Sequence, residues 1–175
     1  VKIECYKSPK FQDLKFVLKA RSKDTIKPVF AVVCVEKGKI ICTDTRHLHI
    51  CNNHFAEDSG GTNSRPWLID GMYNVVKDTQ KEIYLERIDD DKAPQFPNWE
   101  DVIPKEGKEI GKTSFSKLSG ASWTLFKIAQ EGICVNYECL LPLTDTFTIK
   151  VTGNKSPVLF ENKTKMALIM PLRKE

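Results

Sequence analysis

The stretch that decides the fold is VFAVVCVEKGKIICTDTRHLHIC, residues 29–51. Two runs rich in β-branched residues lie on either side of Lys37-Gly38-Lys39, a pattern typical of a β-hairpin. Apolar and polar residues then alternate through RHLHIC, residues 46–51, which predicts a third strand after the hairpin. Three strands joined by such short connections predict an antiparallel sheet.

Helical and strand patterns continue on both sides of these strands. FQDLKFVLKARS places Phe11, Leu14, Val17 and Leu18 at helical spacing, which predicts an amphipathic helix before the hairpin. In chain order, the other predicted elements are a strand in VKIECYK (1–7), a flexible connector AEDSGGTNS (56–64), a strand in RPWLID (65–70), a short helix in GMYNVVKDTQ (71–80), a strand in KEIYLERI (81–88), a helix from Leu118 to Gln130, a helical turn in ECLLPL (138–143), and strands in FTIKV (147–151), PVLFE (157–161) and MALIMPLR (166–173). This order predicts an α+β fold.

The segment DDDKAPQFPNWEDVIP, residues 89–104, predicts the boundary between two domains because it contains three prolines and three consecutive aspartates. We expect a first domain over residues 1–93 and a shortened second domain over residues 94–175. The element order of the first domain recurs in the second, which indicates an approximate internal duplication. The second domain shows no obvious counterpart of the hairpin in the first domain.

Composition and charge indicate a folded protein and exclude few partners. The formal charge of +4 is compatible with nucleic acid as a partner without requiring it. No apolar run reaches the roughly 20 residues of a membrane-spanning helix, and VKIECYK carries no secretion signal. The six cysteines lie in apolar or alternating runs, so we expect reduced thiols in a cytoplasmic protein.

All three histidines of the chain lie in CTDTRHLHICNNH, residues 42–54, together with two cysteines. His47, His49 and Cys51 fall on one face of the predicted strand, so a zinc site is one interpretation. Side chains at successive same-face positions point in parallel instead of converging, and the chain has no Cys-x2-Cys pair. We therefore expect no metal or other cofactor, and a strand whose polar face carries imidazoles.

Motifs typical of catalysis are missing from the sequence. The pair Gly60-Gly61 is not followed by the Lys-Ser/Thr of a phosphate loop, and there is no Gly-x-Ser-x-Gly elbow. A nucleophilic cysteine–histidine pair stays open as an alternative, since no spacing pairs a particular cysteine with a particular histidine. The sequence predicts a protein that is not an enzyme, and a Cys/His enzyme or metalloprotein is the rival interpretation.

Three separate segments together resemble one family, the bacterial DNA sliding clamp, or beta subunit of DNA polymerase III. CTDTRHLHI resembles the clamp motif Thr-Asp-Gly-His-Arg-Leu, with Thr45 in place of the glycine and Arg46 and His47 in inverted order. FPNWEDVIP resembles the segment that opens the last clamp domain, and SPVLFENKTKMALIMPLRKE resembles the clamp terminus. The resemblance implies a clamp-like fold, with helices packed on one face of antiparallel sheets and one full domain followed by a shortened second.

The same resemblance implies a hydrophobic pocket that binds short linear peptides of polymerases and clamp loaders. Met and aliphatic side chains suit the apolar residues of such a peptide, and Thr43 and Arg46 would bind its backbone or its glutamine. The residues carried over to the pocket are Phe30, Thr43, Arg46, His47, Leu48, Pro97, Val102, Leu168, Met170, Pro171 and Leu172.

The resemblance also implies weak, sequence-independent contacts between basic helices and the phosphates of duplex DNA. The residues carried over are Lys15, Lys19, Arg21 and Lys23 from the first helix, and Lys117 and Lys127 from the second. We expect a sliding clamp that tethers a DNA polymerase to DNA, encoded by a phage or mobile element and assembled as a homo-oligomer, with a trimer closing a six-domain ring. The alternative is a clamp-like adaptor or competitor that binds the same peptides without encircling DNA.

Overall fold

The computed structural model describes residues 1–4, 8–22, 27–55, 68–114 and 118–172, and the chain divides into two units, Val1–Pro97 and Asn98–Glu175. Each unit contains antiparallel strands and one α-helix in the described residues. The boundary predicted between residues 93 and 94 lies in the same proline-containing segment as the division after Pro97.

The first unit has six strands and one helix in its described residues. They are β1 (Lys2–Glu4), α1 (Pro9–Leu18), β2 (Val32–Glu36), β3 (Lys39–Thr43), β4 (His47–Asn52), β5 (Gly71–Asp78) and β6 (Glu82–Arg87), with a 3-10 turn at Pro28–Phe30. The strands lie in the order β1-β6-β5-β2-β3-β4, and neighbouring strands are antiparallel. Helix α1 packs against β3 and β4.

The predicted hairpin at residues 32–43 is confirmed as β2–β3. Its turn residues Lys37 and Gly38 have φ of 51° and 70°, both in the left-handed region. Two successive positive φ values are the geometry of a type I′ turn, whose twist matches that of the paired strands. Glu36 pairs with Lys39 directly across the turn, so this short connection sets the register of the whole hairpin.

Helix α1 begins where the sequence supplies a capping residue. The side chain of Ser8 accepts a hydrogen bond from the Phe11 backbone N–H (3.1 Å), and Pro9 occupies the first helical position, where no N–H is needed. Phe11, Leu14 and Val17 are fully buried, as the helical spacing predicts. The core of the first unit therefore lies between this helix and the sheet.

The second unit repeats the beginning of the first. Its elements are β7 (Lys108–Ser114), α2 (Leu118–Gln130), β8 (Thr146–Val151), β9 (Val158–Glu161) and β10 (Lys165–Ile169), with 3-10 turns at Trp99–Val102 and Tyr137–Cys139. The strand order is β10-β9-β8-β7, and α2 packs against β7. Both units thus start with strand, helix and three strands. In the first unit the hairpin β5–β6 is inserted between β1 and β2, whereas β7 pairs directly with β8.

Two predictions about these elements are wrong. GMYNVVKDTQ forms strand β5 and not a helix, because Met72 and Tyr73 pair with Cys34 and Val33 of β2 and are buried there. The hairpin β2–β3 does have a counterpart, β8–β9, and the part without a counterpart is β5–β6. Strand β7 was not predicted. The connector AEDSGGTNS and residues 65–67 of RPWLID lie outside the described residues, and residues 68–70 form no strand.

None of the helices in the described ranges combines the length and the apolar composition that crossing a membrane requires.

Candidate functional site

The turn between β3 and β4 is held by side chains of its own residues. Asp44 Oδ1 accepts hydrogen bonds from the backbone N–H groups of Arg46 and His47, each at 2.9 Å. The Thr43 hydroxyl donates to the His47 carbonyl (2.9 Å) and accepts from the Thr45 N–H (3.2 Å). The Thr43 hydroxyl therefore already has hydrogen-bond partners within the turn. The resemblance to sliding clamps had implied that it binds a peptide.

Thr45 occupies a conformation that favours glycine. Its φ is 79°, in the left-handed region, which a β-branched residue adopts only under strain. The clamp motif that this segment resembles has glycine at the same position. The turn therefore has a backbone geometry typical of glycine at a position that threonine occupies.

We expect Thr45→Gly to stabilise the protein by about 0.5–1 kcal/mol. The substitution removes strain that costs about 1–3 kcal/mol, and the greater entropy that glycine gives the unfolded chain offsets part of this gain. Urea unfolding measures the difference. Thr164→Gly is the matched control, because Thr164 does not have a positive φ and its replacement should only destabilise. Equal loss of stability in both variants would contradict the strain at Thr45.

The two histidines of β4 bind the C-terminal end of α1. His49 Nδ1–H donates a hydrogen bond to the Phe16 backbone carbonyl (2.7 Å). The His49 imidazole also stacks on the Phe16 ring, with centroids 4.4 Å apart and an interplanar angle of 6°. His47 Nε2 lies 3.4 Å from the Lys19 carbonyl. Carbonyls in the last turn of a helix have no partner within the helix, so these imidazoles cap it. The expected polar face of imidazoles is wrong for His49, which is fully buried beneath α1.

The surroundings of His49 and Asp44 shift the pKa of each side chain. Burial lowers the pKa of His49 to about 3, so the ring is neutral at pH 7 and its proton is on Nδ1. His47 Nδ1 lies 2.8 Å from Asp44 Oδ1. Burial alone would raise the pKa of Asp44, but hydrogen bonds from the side chain and backbone of His47 lower it below its ordinary value.

The cysteine–histidine alternatives find little support in this geometry. Cys42 lies directly opposite His49 across the β3–β4 ladder, and burial raises the pKa of its thiol far above neutral, so the nucleophilic thiolate is not populated. Burial also raises the pKa of Cys34 to about 12. Within the described ranges, no three side chains of histidine, cysteine, aspartate or glutamate are grouped to hold a metal ion.

The pocket residues predicted in the first unit differ in exposure. Arg46 and Pro97 are exposed, Phe30, Thr43 and His47 are half-buried, and Leu48 is buried at 5% exposure. Leu48 pairs with Thr43 across the ladder, so it supports the turn from within the sheet. Leu48 therefore belongs to the core of this unit. Because it is buried, truncating its side chain would create a cavity that costs about 2–4 kcal/mol.

The pocket residues predicted in the second unit form a more open apolar set. Val102, Met170 and Leu172 are exposed at 49%, 43% and 56%. Leu168 is buried in β10, and Pro171 is half-buried. The Leu172 N–H donates to the Cys134 carbonyl (2.7 Å), which fixes the backbone after β10 while the Met170 and Leu172 side chains remain accessible.

The residues predicted to contact DNA also differ from one another. Lys15 forms an ion pair with Asp78, which offsets its charge. Lys19 is exposed, and Arg21 is half-buried with Nη1 3.4 Å from the Ala31 carbonyl. Lys127 places its ammonium 5.2 Å from the centre of the Trp123 ring. Lys23 and Lys117 lie outside the described residues.

Sequence reasoning missed three exposed apolar residues of the second unit, Trp123, Phe126 and Leu141. The helical period could have identified the first two. Ala121, Thr124 and Ile128 form the buried face of α2, and Trp123 and Phe126 fall on the opposite side. No pattern in ECLLPL separates the exposed Leu141 from its buried neighbour Leu140.

Comparison with solved structures finds bacterial sliding clamps. The DNA polymerase III beta subunit of Pseudomonas aeruginosa matches with a TM-score of 0.59 and 13% identity, over 99% of this chain and 66% of that one. The beta subunit of Thermotoga maritima matches with a TM-score of 0.61 and 10% identity, over 100% and 65%. The Helicobacter pylori beta clamp, solved bound to a DNA ligase peptide, matches with a TM-score of 0.57 and 11% identity, over 99% and 66%.

These likenesses show the fold. The predicted fold class is confirmed: the chain is α+β and clamp-like, with helices packed on one face of antiparallel sheets. The chain spans about two thirds of the length of the clamps that it matches. No family model matches the sequence. No curated protein matches it either.

Proposed function

We propose that this chain is a small DNA sliding clamp, a processivity factor that binds linear peptides of a polymerase and its loader and catalyses no reaction. The observation that carries the proposal is a clamp-like fold across nearly the whole chain, with Met170 and Leu172 exposed at its end. Exposed large apolar side chains on an anchored backbone are typical of a surface that a partner covers.

Peptide contacts are proposed for each unit by itself. In the second unit, Val102, Met170 and Leu172 would receive the apolar side chains of the peptide, since flexible methionine adapts to varied shapes. In the first unit, the exposed Arg46 would bind polar groups of the peptide, and the Asp44 hydrogen bonds fix the turn that carries it. The Helicobacter pylori clamp bound to a DNA ligase peptide supports this class of partner.

A titration of the protein into a fluorescently labelled peptide of the type Gln-Leu-x-Leu-Phe tests this site by anisotropy. We expect saturable binding with a Kd in the micromolar range, about −8 kcal/mol of binding free energy. A peptide with both leucines and the phenylalanine replaced by alanine is the control. Equal binding of the two peptides, or none at high protein concentration, would contradict the proposal.

DNA contact is proposed for Lys19, Arg21 and Lys127, together with Lys23 and Lys117. Such residues would contact phosphates without reading sequence, which allows a ring to slide. Lys15 contributes less than its position in the sequence implies, because Asp78 already pairs with it.

We expect Lys19→Glu to weaken duplex DNA binding and to reduce the slope of log affinity against log salt by about 1. Lys155→Glu, at an exposed loop lysine outside the proposed contact set, is the control for the change in net charge. The measurement is anisotropy of a labelled duplex at three salt concentrations. Identical slopes for the two variants would remove Lys19 from the DNA contact.

A second candidate is a clamp-like adaptor that binds peptides without encircling DNA. One observation favours it: Lys15, a basic residue of α1 that the DNA contact would use, is paired with Asp78. Light scattering separates the candidates, since a homo-oligomeric ring built from this chain predicts a trimer, and the adaptor predicts a monomer.

A further inference from the structure

Helix α2 carries two exposed aromatic rings outside its buried face. Trp123 is 44% exposed and Phe126 is 60% exposed. Residues three apart lie next to one another on a helix surface, so Trp123 and Phe126 define one aromatic patch of α2. Clusters of exposed aromatic side chains on a folded protein mark binding surfaces.

The two residues of the patch differ in their surroundings. The Trp123 ring packs over β7, where its Cη2 lies 3.6 Å from the place a Cβ at Gly111 would take. This is an ordinary van der Waals distance, so the tip of the indole contacts β7 beside Gly111. Phe126 is the more exposed of the two residues.

The charges around the patch suit a polyanion. The sequence of α2, LSGASWTLFKIAQ, contains one lysine and neither aspartate nor glutamate. The Lys127 ammonium lies 5.2 Å from the centre of the Trp123 ring, within reach of a group bound beside it. Glu131, the first acidic residue after the helix, binds Lys108 Nζ at 2.8 and 2.9 Å, which offsets its charge.

From this geometry we propose that Trp123 and Phe126 stack against unpaired bases of single-stranded DNA, with Lys127 contacting a phosphate. Aromatic rings beside a cation are the usual means of binding a single strand, because every base offers a π face. A duplex buries its base faces inside the helix, so the two rings would contribute little to duplex binding. The inference deepens the proposed DNA contact of α2 and rests on it.

The test uses the chain of residues 1–175 and labelled oligothymidylate of about 15 nucleotides, with a duplex of equal length as the second probe. Phe126→Leu keeps an apolar side chain but removes the π face, and Phe126→Tyr keeps the π face. We expect Phe126→Leu to weaken single-strand binding at least about fivefold and duplex binding less than twofold, and Phe126→Tyr to retain both. Leu141→Ala, at another exposed residue of the second unit, should change neither.

The result that overturns the inference is single-strand binding that is unaffected by Phe126→Leu, or a wild type that does not bind the single strand. If wild-type duplex and peptide binding persist in that case, the proposed function stands and only the stacking role fails. Loss of self-association in Phe126→Leu, with single-strand affinity unchanged, would instead assign the patch to a protein interface.

Discussion

Replacing His49 with alanine is expected to lower the free energy of unfolding by about 2–4 kcal/mol at pH 7.5. The change removes a fully buried ring that stacks on Phe16 and donates to the Phe16 carbonyl. It leaves that carbonyl without its cap and creates a cavity between β4 and α1. Chemical denaturation measures the loss, and His54→Ala, at a partly exposed histidine, is the control expected to cost less than about 1 kcal/mol.

The cost of this substitution is expected to shrink as the pH falls. The pKa of His49 is lowered by burial to about 3 in the folded protein, against about 6.5 when unfolded. Between these values the unfolded chain binds a proton that the folded chain excludes. The wild type therefore loses about 1.4 kcal/mol per pH unit from this group as the pH falls below about 6.5, and the variant does not.

Unfolding at pH 7.5 and pH 5 tests this dependence, because the difference between wild type and His49→Ala cancels the other titrating groups. A difference that stays constant between the two pH values would contradict a neutral, buried His49.

Replacing both Met170 and Leu172 with alanine is expected to weaken peptide binding at least about tenfold, since side chains at the centre of an interface commonly contribute more than about 1 kcal/mol each. Both side chains are exposed in the structure, so the melting temperature should change little. Anisotropy with the labelled peptide gives the affinity, and thermal unfolding monitors the fold.

The matched control for this double variant is Val76→Ala, which truncates an exposed apolar side chain of β5 in the first unit. It should bind the peptide as the wild type does. Wild-type affinity in the Met170→Ala/Leu172→Ala variant would remove the end of the chain from the peptide site.

Local patterns in the sequence predict much of the fold. Gly38 between two β-branched runs predicts the hairpin because glycine accepts the positive φ of its turn. The apolar period predicts α2 from Leu118 to Gln130, as observed. The failure at GMYNVVKDTQ has a long-range cause. Met72 and Tyr73 form a strand because they pair with β2, more than thirty residues earlier in the chain, which no local pattern reveals.

The candidate site is less predictable because exposure depends on packing. MALIMPLR is a continuous apolar run in the sequence, yet Leu168 is buried and Met170 is exposed two residues later. The histidines of β4 alternate as a polar face would, but α1 covers His49 and uses it as a cap. The roles of Arg46 in the first unit and of Met170 in the second stay predictions that the binding experiments address.

The measurement that tests the proposal of a sliding clamp most directly is retention on a DNA circle. The protein is concentrated from dilute solution in the presence of nicked circular DNA, so that rings assemble around the DNA without a loader, and is then passed over a gel-filtration column. We expect the protein to elute with the circle and to be released when a restriction enzyme linearises the DNA. Equal retention on circular and linear DNA, or no retention by a protein that still binds the peptide, would contradict a clamp that encircles DNA.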